Sequence, residues 1–255
     1  MDSFFEQTKL VNAYDVDINN KLKLNTLFNF LQDVASTHAD SLKLGFNNLI
    51  VNDLGWVLSW AKVEIVDYPE FGETIKISTW PKCRYKLFSI REFIVYNSNG
   101  KILFRVSTAW LLINVKTKRI TDIKNLPQQI YYQPDQYAIN EYPEKIVSEK
   151  EKEILFCKKI RYSDLDINKH VNNTRYIELI LDCYSAEQHK NNHLKNLTVS
   201  FISESFYNDE LEIRFTAEGS KEKYDVIEGI NKITSKLVFQ ALVGWGMPES
   251  YPMTL

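Results

Sequence analysis

The chain is poor in the residues on which small secreted or metal-built proteins rely. Cysteine occurs three times, at Cys83, Cys157 and Cys183. Odd in number, far apart and never in CxxC spacing, these exclude a disulfide framework and a structural zinc site and suit a reducing compartment. Glycine and proline number only 8 and 7 in 255 residues, which leaves no place for collagen-like or low-complexity segments. No run of 18 apolar residues occurs, and the opening MDSFFEQTKLVNAYDVD carries acids where a signal or transit peptide would be basic. The sequence therefore predicts no membrane span, no leader and a cytoplasmic location. An excess of either charge is lacking too: 31 Lys and Arg against 33 Asp and Glu leave a net charge of −2. Without a global basic field, nucleic acid is not an expected partner.

What is present is a core-forming apolar fraction of 44% and an internal repeat. Within NTLFNFLQDVASTHADSLKLG, residues Leu27, Phe30, Leu31, Val34, Ala35 and His38 recur at i, i+3, i+4 spacing, predicting a helix with Asn25 as its N-cap and Gly45 beyond its end. His38 on that apolar face reads as a satisfied core histidine. Four strand-like runs follow, WVLSWAKVEIV, ETIKISTW, FSIREFIVY and ILFRVSTAWLLIN, with NSNG turning between the last two. The second half repeats the order: a helix over NNTRYIELILDCYSAEQ, capped by Asn173, then LTVSFIS, ELEIRFTA, YDVIEGI and KLVFQALVGW. KVEIVDYPEFGETIKIS aligns with TVSFISESFYNDELEIRF at a constant offset, setting Val63, Ile75 and Ile77 over Val199, Leu211 and Ile213. Residues 126–152, with Pro127, Pro134, Pro143 and the charged run EKIVSEKEKE, read as a surface linker. The expected architecture is α+β, two similar domains at 1–125 and 153–255, each a long helix wrapped by a curved antiparallel sheet, joined edge to edge.

One stretch, RYSDLDINKHVNNTRYIEL, concentrates Asp164, Asp166, Asn168, His170, Asn172 and Asn173 just before the second helix. Spacing of two would put Asp166, Asn168 and His170 on one side of an extended segment. The helix start beyond them offers unpaired N–H groups and a positive dipole end to a developing oxyanion. The same residue types also favour turns and caps, and that structural reading stands beside the catalytic one. Asn is a poor transition-metal ligand and no further ligand is near, so neither metal nor cofactor is expected.

DLDINKHVNNTRYIEL resembles the DxNxHVNNxxY signature of the acyl-acyl carrier protein thioesterases, which are built from two tandem hotdog domains. NTLFNFLQDVASTHA, DYPEFGETIKISTW and VSTAWLLINVKTKRI look like the same family's N-terminal hotdog. The resemblance implies catalytic roles for Asp166, Asn168 and His170. It adds Glu204, which LTVSFISES places where the family has a Glu, with Ser205 at the following position where the family has a Cys. Without a thiol there, a cysteine nucleophile is excluded at that position. The expected chemistry is base-assisted attack of water on a fatty acyl thioester, with His170 or Glu204 as base; a covalent route with Ser205 as nucleophile is the less favoured alternative.

The resemblance further implies that the first half binds the acyl chain and that acyl carrier protein is the partner; a homodimer of the fused pair stays open. A tunnel would draw on Phe28, Phe30, Leu31, Trp56, Trp60, Trp80 and Trp110, although such residues are more often core. Between Lys82 and Arg119 nine basic residues face one acid, Glu92, which reads either as a docking patch for the acidic carrier or as solvated strand faces. An acyl-CoA thioesterase and a non-catalytic acyl-binding protein are the alternatives, since fold alone does not give function.

Overall fold

The computed structural model describes residues 3–147, 151–217 and 224–246. Ser148, Glu149 and Lys150 of the charged run lie outside them. The chain divides into two compact units, Met1–Lys145 and Ile146–Leu255.

The first unit begins with strand β1 (Phe5–Leu10), followed by helices α1 (Leu24–Ser41) and α2 (Phe46–Ile50). Strands β2 (Leu54–Ile65), β3 (Thr74–Tyr85), β4 (Phe88–Asn97), β5 (Ile102–Asn114) and the short β6 (Arg119–Ile120) complete it. The antiparallel sheet runs β1-β3-β4-β5-β2, with β6 on β5. Leu24, Leu27, Phe28, Leu31, Val34, Ala35 and His38 form the buried stripe of α1, which is the helical period that the sequence carries. Its start differs from expectation. The helix begins one residue before Asn25, and Lys23 holds the N-cap position without a side-chain cap, because the Lys23 amide is tied back to the Asp15 carbonyl at 2.9 Å. The NSNG turn forms as expected: Asn97 Oδ1 accepts from the amides of Asn99 and Lys101, and Gly100 takes φ +80°, which glycine adopts without strain.

The second unit comprises β7 (Glu153–Lys159), α3 (Asn173–Leu181), α4 (Ala186–Asn191), β8 (His193–Phe201), β9 (Glu210–Thr216), β10 (Asp225–Asn231) and β11 (Leu237–Gly246). Its antiparallel order is β8-β11-β10-β9-β7. The helical stretch is shorter than its apolar pattern suggests. It breaks after Leu181 and restarts where the Ser185 side chain accepts the Gln188 amide, a new N-cap. Asn172, not Asn173, caps α3, its Oδ1 accepting from the Thr174 amide at 3.0 Å. Tyr176 on α3 packs its ring 5.2 Å from Phe239 of β11, which seats the helix on the sheet. Each unit is thus a helix laid on an antiparallel sheet. Among the described residues no helix is long and apolar enough to cross a membrane.

The stretch read as a linker is not a simple surface crossing. Ala138 and Ile139 are buried, and their amides donate to the buried Glu92 carboxylate at 2.9 and 3.0 Å.

Candidate functional site

The chain between β7 and α3 is a tight loop, not the extended segment that spacing of two suggested. Leu165 and Val171 form a β-bridge, the Asp166 amide donates to the His170 carbonyl at 2.8 Å, and Lys169 sits at φ +65°. Asp166 Oδ1 accepts from the amides of Asn168 at 2.7 Å and of His170 at 3.4 Å. Its carboxylate therefore shapes the loop backbone, as turn-forming aspartates do. Asp164 does the same one step earlier, accepting the Arg161 amide at 2.8 Å.

The loop is fastened to the segment after β8 by the Val171 amide, which donates to the Ser205 carbonyl at 3.0 Å. That bond brings Glu204 Oε1 to 3.3 Å from His170 Nδ1. The imidazole is mostly enclosed and the carboxylate half-exposed, 19% and 42% accessible, while the Phe206 ring stands edge-on to His170 at 5.1 Å. A carboxylate on Nδ1 favours the tautomer with Nδ1 protonated, which leaves Nε2 as a proton acceptor. Among the described residues nothing hydrogen-bonds Nε2.

Asn168 is exposed, and among the described residues its side-chain amide makes no hydrogen bond, so it is available to a ligand. At the start of α3, Asn172 Oδ1 already takes both the amide and the hydroxyl of Thr174. Of the first-turn donors expected to hold an oxyanion, the Asn173 N–H is left without a partner among the described residues.

Ser205 is fully buried, its polar side-chain neighbour is the Tyr176 phenol, and among the described residues no hydrogen bond joins its Oγ to His170. A serine nucleophile requires a base in contact. Ser205→Ala should therefore leave turnover within tenfold of the parent chain, measured with any thioester that the chain hydrolyses; complete loss would restore a covalent route. The cysteines offer no substitute. Burial pushes the Cys183 thiol up to about 12, and Cys157 lies on exposed β7. Among the described residues no group of three or more His, Cys, Asp or Glu is placed to hold a metal ion.

The first unit contains a copy of this loop that the sequence reading missed. Asp17 Oδ1 accepts from the amides of Asn19 and Lys21 at 2.8 and 3.0 Å, the Asp17 amide donates to the Lys21 carbonyl, and Val16 bridges Leu22. Leu22 then bonds the Pro69 carbonyl, as Val171 bonds Ser205. The signal was available: DVDIN at 15–19 repeats DLDIN at 164–168. In the copy Lys21 stands in the place of His170 and Tyr68 in that of Glu204, the Lys21 Nζ lying 5.7 Å from the Tyr68 ring centre. What the two loops share is the aspartate and asparagine framework. What distinguishes the second unit is the imidazole and its carboxylate.

The basic stretch does not form one patch. Lys82 is buried, Arg91 is partly buried, and Arg84, Lys101 and Lys116 are paired with Asp122, Asp67 and Asp53.

Residues 2–131 match the family model described as the Acyl-ACP thioesterase N-terminal domain, and 147–245 match the corresponding C-terminal domain. The chain is 27% identical over 86% of its length to an acyl-[acyl-carrier-protein] hydrolase (FATB3, chloroplastic) of Cuphea viscosissima, covering 56% of that protein. It is 28% identical over 78% of its length to a palmitoyl-acyl carrier protein thioesterase of Gossypium hirsutum, covering 52% of it. The chain thus spans about half the length of these relatives. Among solved structures, an acyl-ACP thioesterase from Bacteroides thetaiotaomicron superposes with a TM-score of 0.86 at 28% identity, covering 96% of this chain and 98% of the other. The 12:0-ACP thioesterase from Umbellularia californica shares the fold, with a TM-score of 0.79 at 20% identity over 97% of this chain and 99% of the other.

Proposed function

The chain belongs to the acyl-ACP thioesterase family, and from that premise we propose that its second unit hydrolyses a fatty acyl thioester carried on acyl carrier protein, releasing free fatty acid and the carrier thiol. The observation that carries the proposal is the pair of His170 Nδ1 and Glu204 Oε1 at 3.3 Å, with Nε2 facing no protein acceptor or donor among the described residues. In this mechanism Glu204 holds the imidazole in the tautomer that exposes Nε2 as base. Water gives a proton to Nε2 as its oxygen attacks the thioester carbonyl. The charge that develops on the carbonyl oxygen is taken by the Asn168 side-chain amide and the Asn173 N–H. Collapse of the tetrahedral intermediate breaks the carbon–sulfur bond, and the thiolate leaves with or without the proton from Nε2. Asp166 contributes by fixing the loop that carries Asn168 and His170. Acyl-chain binding is assigned to the first unit, Met1–Lys145.

The test compares one acyl group presented on carrier protein and on CoA, with released thiol followed by a thiol-reactive dye and the freed acid identified. The expected result is hydrolysis with a higher kcat/KM for the carrier-bound form. Preference for CoA would assign the chain to acyl-CoA hydrolysis instead, and no thiol release from either would leave acyl binding without catalysis.

A further inference from the structure

The first unit holds a half-open cavity of about 310 Å³ among α1, α2 and the sheet, at the small end of ligand sites, which span about 300–1,000 Å³. Leu42, Leu44, Leu49, Trp56, Trp110 and Ile130 supply most of its apolar wall. Of the tryptophans named as candidates from sequence, Trp56 and Trp110 reach it, whereas Trp60 packs with Ile90 and Ala109. One charged side chain lines it, Arg91 of β4.

Arg91 is an unusual wall for an apolar chamber. Its Nη1 donates to Thr79 Oγ1 at 3.2 Å and lies 3.0 Å from His38 Nδ1. Among the described residues no carboxylate pairs with it, and no hydrogen bond engages its Nε or Nη2. Burial pulls the guanidinium down to about 10, so it stays cationic at neutral pH. A guanidinium set in an apolar wall without a carboxylate partner is partly desolvated and is relieved by an anion brought to it. The open pair, Nε–H and Nη2–H, is the side of the guanidinium fork that matches the two oxygens of a carboxylate.

We propose that this cavity binds an aliphatic chain ending in a carboxylate, the two oxygens pairing with Nε and Nη2 of Arg91 and the chain lying along the leucine and tryptophan wall. Two sources supply that chemistry: the fatty acid released by hydrolysis, or an acyl chain still on its carrier that bears a second carboxylate at its far end. Only the choice between them rests on the thioesterase function.

Trp56 and Trp110 make intrinsic tryptophan emission the readout. The full chain is titrated with decanoate and with methyl decanoate, below the concentration at which either aggregates. The expected result is saturable binding of decanoate at least tenfold tighter than of the ester. Arg91→Met should bind the two equally, and Ala39→Leu, which puts bulk into the cavity and keeps the Arg91 guanidinium, should weaken both. Equal affinities in the parent chain, no saturable change with decanoate, or discrimination retained in Arg91→Met would each overturn the proposal. Should Arg91→Met fail to fold, the parent's acid-to-ester ratio and Ala39→Leu still decide. With turnover established, inhibition by decanoate that Arg91→Met abolishes identifies the released acid. Faster hydrolysis of an ω-carboxyacyl thioester than of the plain chain identifies the carried one. A chain that hydrolyses neither thioester yet binds decanoate through Arg91 would remove the thioesterase function and leave this site standing.

Discussion

Replacing His170 or Glu204 by alanine should lower kcat for acyl-carrier hydrolysis by about 10²–10⁴-fold, the range that a positioned general base contributes. Thermal stability should barely move in Glu204→Ala, because Glu204 is half-exposed, and fall modestly in His170→Ala, whose ring is mostly enclosed beside Phe206. The informative comparison is the double variant. If Glu204 works by holding the imidazole, removing both groups costs little more than removing His170 alone, since residues acting as one unit are strongly non-additive. Losses that multiply would give Glu204 a separate role on water or substrate. Glu204→Gln separates charge from geometry: its amide oxygen can still accept from Nδ1–H at 3.3 Å but cannot stabilise an imidazolium. A fall of kcat with KM unchanged is expected there. Near-parental turnover in both alanine variants would remove the site.

The order of elements was legible because it is written in periodicity. The alternating runs of β2 to β5 and the stripe of α1 leave little choice of structure, and the helix starts were missed only by a residue because the loops before them fix the backbone. β1 escaped notice. FEQTKL is six residues of an edge strand, with alternation too short to stand apart from its polar surroundings. In the candidate site, the side-chain arrangement expected of the residues of DLDINKH is not the one that the loop adopts. Their spacing does not align side chains along a strand; Asp166 is consumed by the turn, and its near-copy at Asp17 serves the same turn without an imidazole. The partner that matters most, Glu204, is 34 residues from His170, and nothing local in LTVSFISES announces it. A loop-to-loop bond, Val171 N–H to the Ser205 carbonyl, creates the pair. Backbone groups are identical in every residue, so a contact made through them leaves no trace in composition.

Glu92 gives the same lesson with a larger consequence for stability. In sequence it is the single acid in a basic stretch; in the fold it is fully buried and has four partners. Its Oε1 accepts the Ser107 hydroxyl at 2.8 Å and lies 3.5 Å from Lys82 Nζ. Its Oε2 accepts the Ala138 and Ile139 amides. Lys82 in turn donates to the Ile139 carbonyl at 2.9 Å and sits 4.8 Å from the centre of the Tyr142 ring. Together they clamp the proline-rich segment onto β3 and β4. Glu92→Leu keeps the space filled but strands a buried ammonium, two amides and a hydroxyl. Removing one partner of a buried pair costs about 3–5 kcal/mol, which for a chain of this size is on the order of ten degrees in Tm. Replacing both charges, in Lys82→Met with Glu92→Leu, should recover part of that loss, because the ammonium is then gone, but not all of it, because the two amides remain without an acceptor. Limited proteolysis locates the damage. Cleavage should appear first between residues 126 and 147 in Glu92→Leu and persist in the double variant. A double variant as stable and as protease-resistant as the parent would mean that the segment is held by its buried Ala138 and Ile139 side chains and not by the carboxylate.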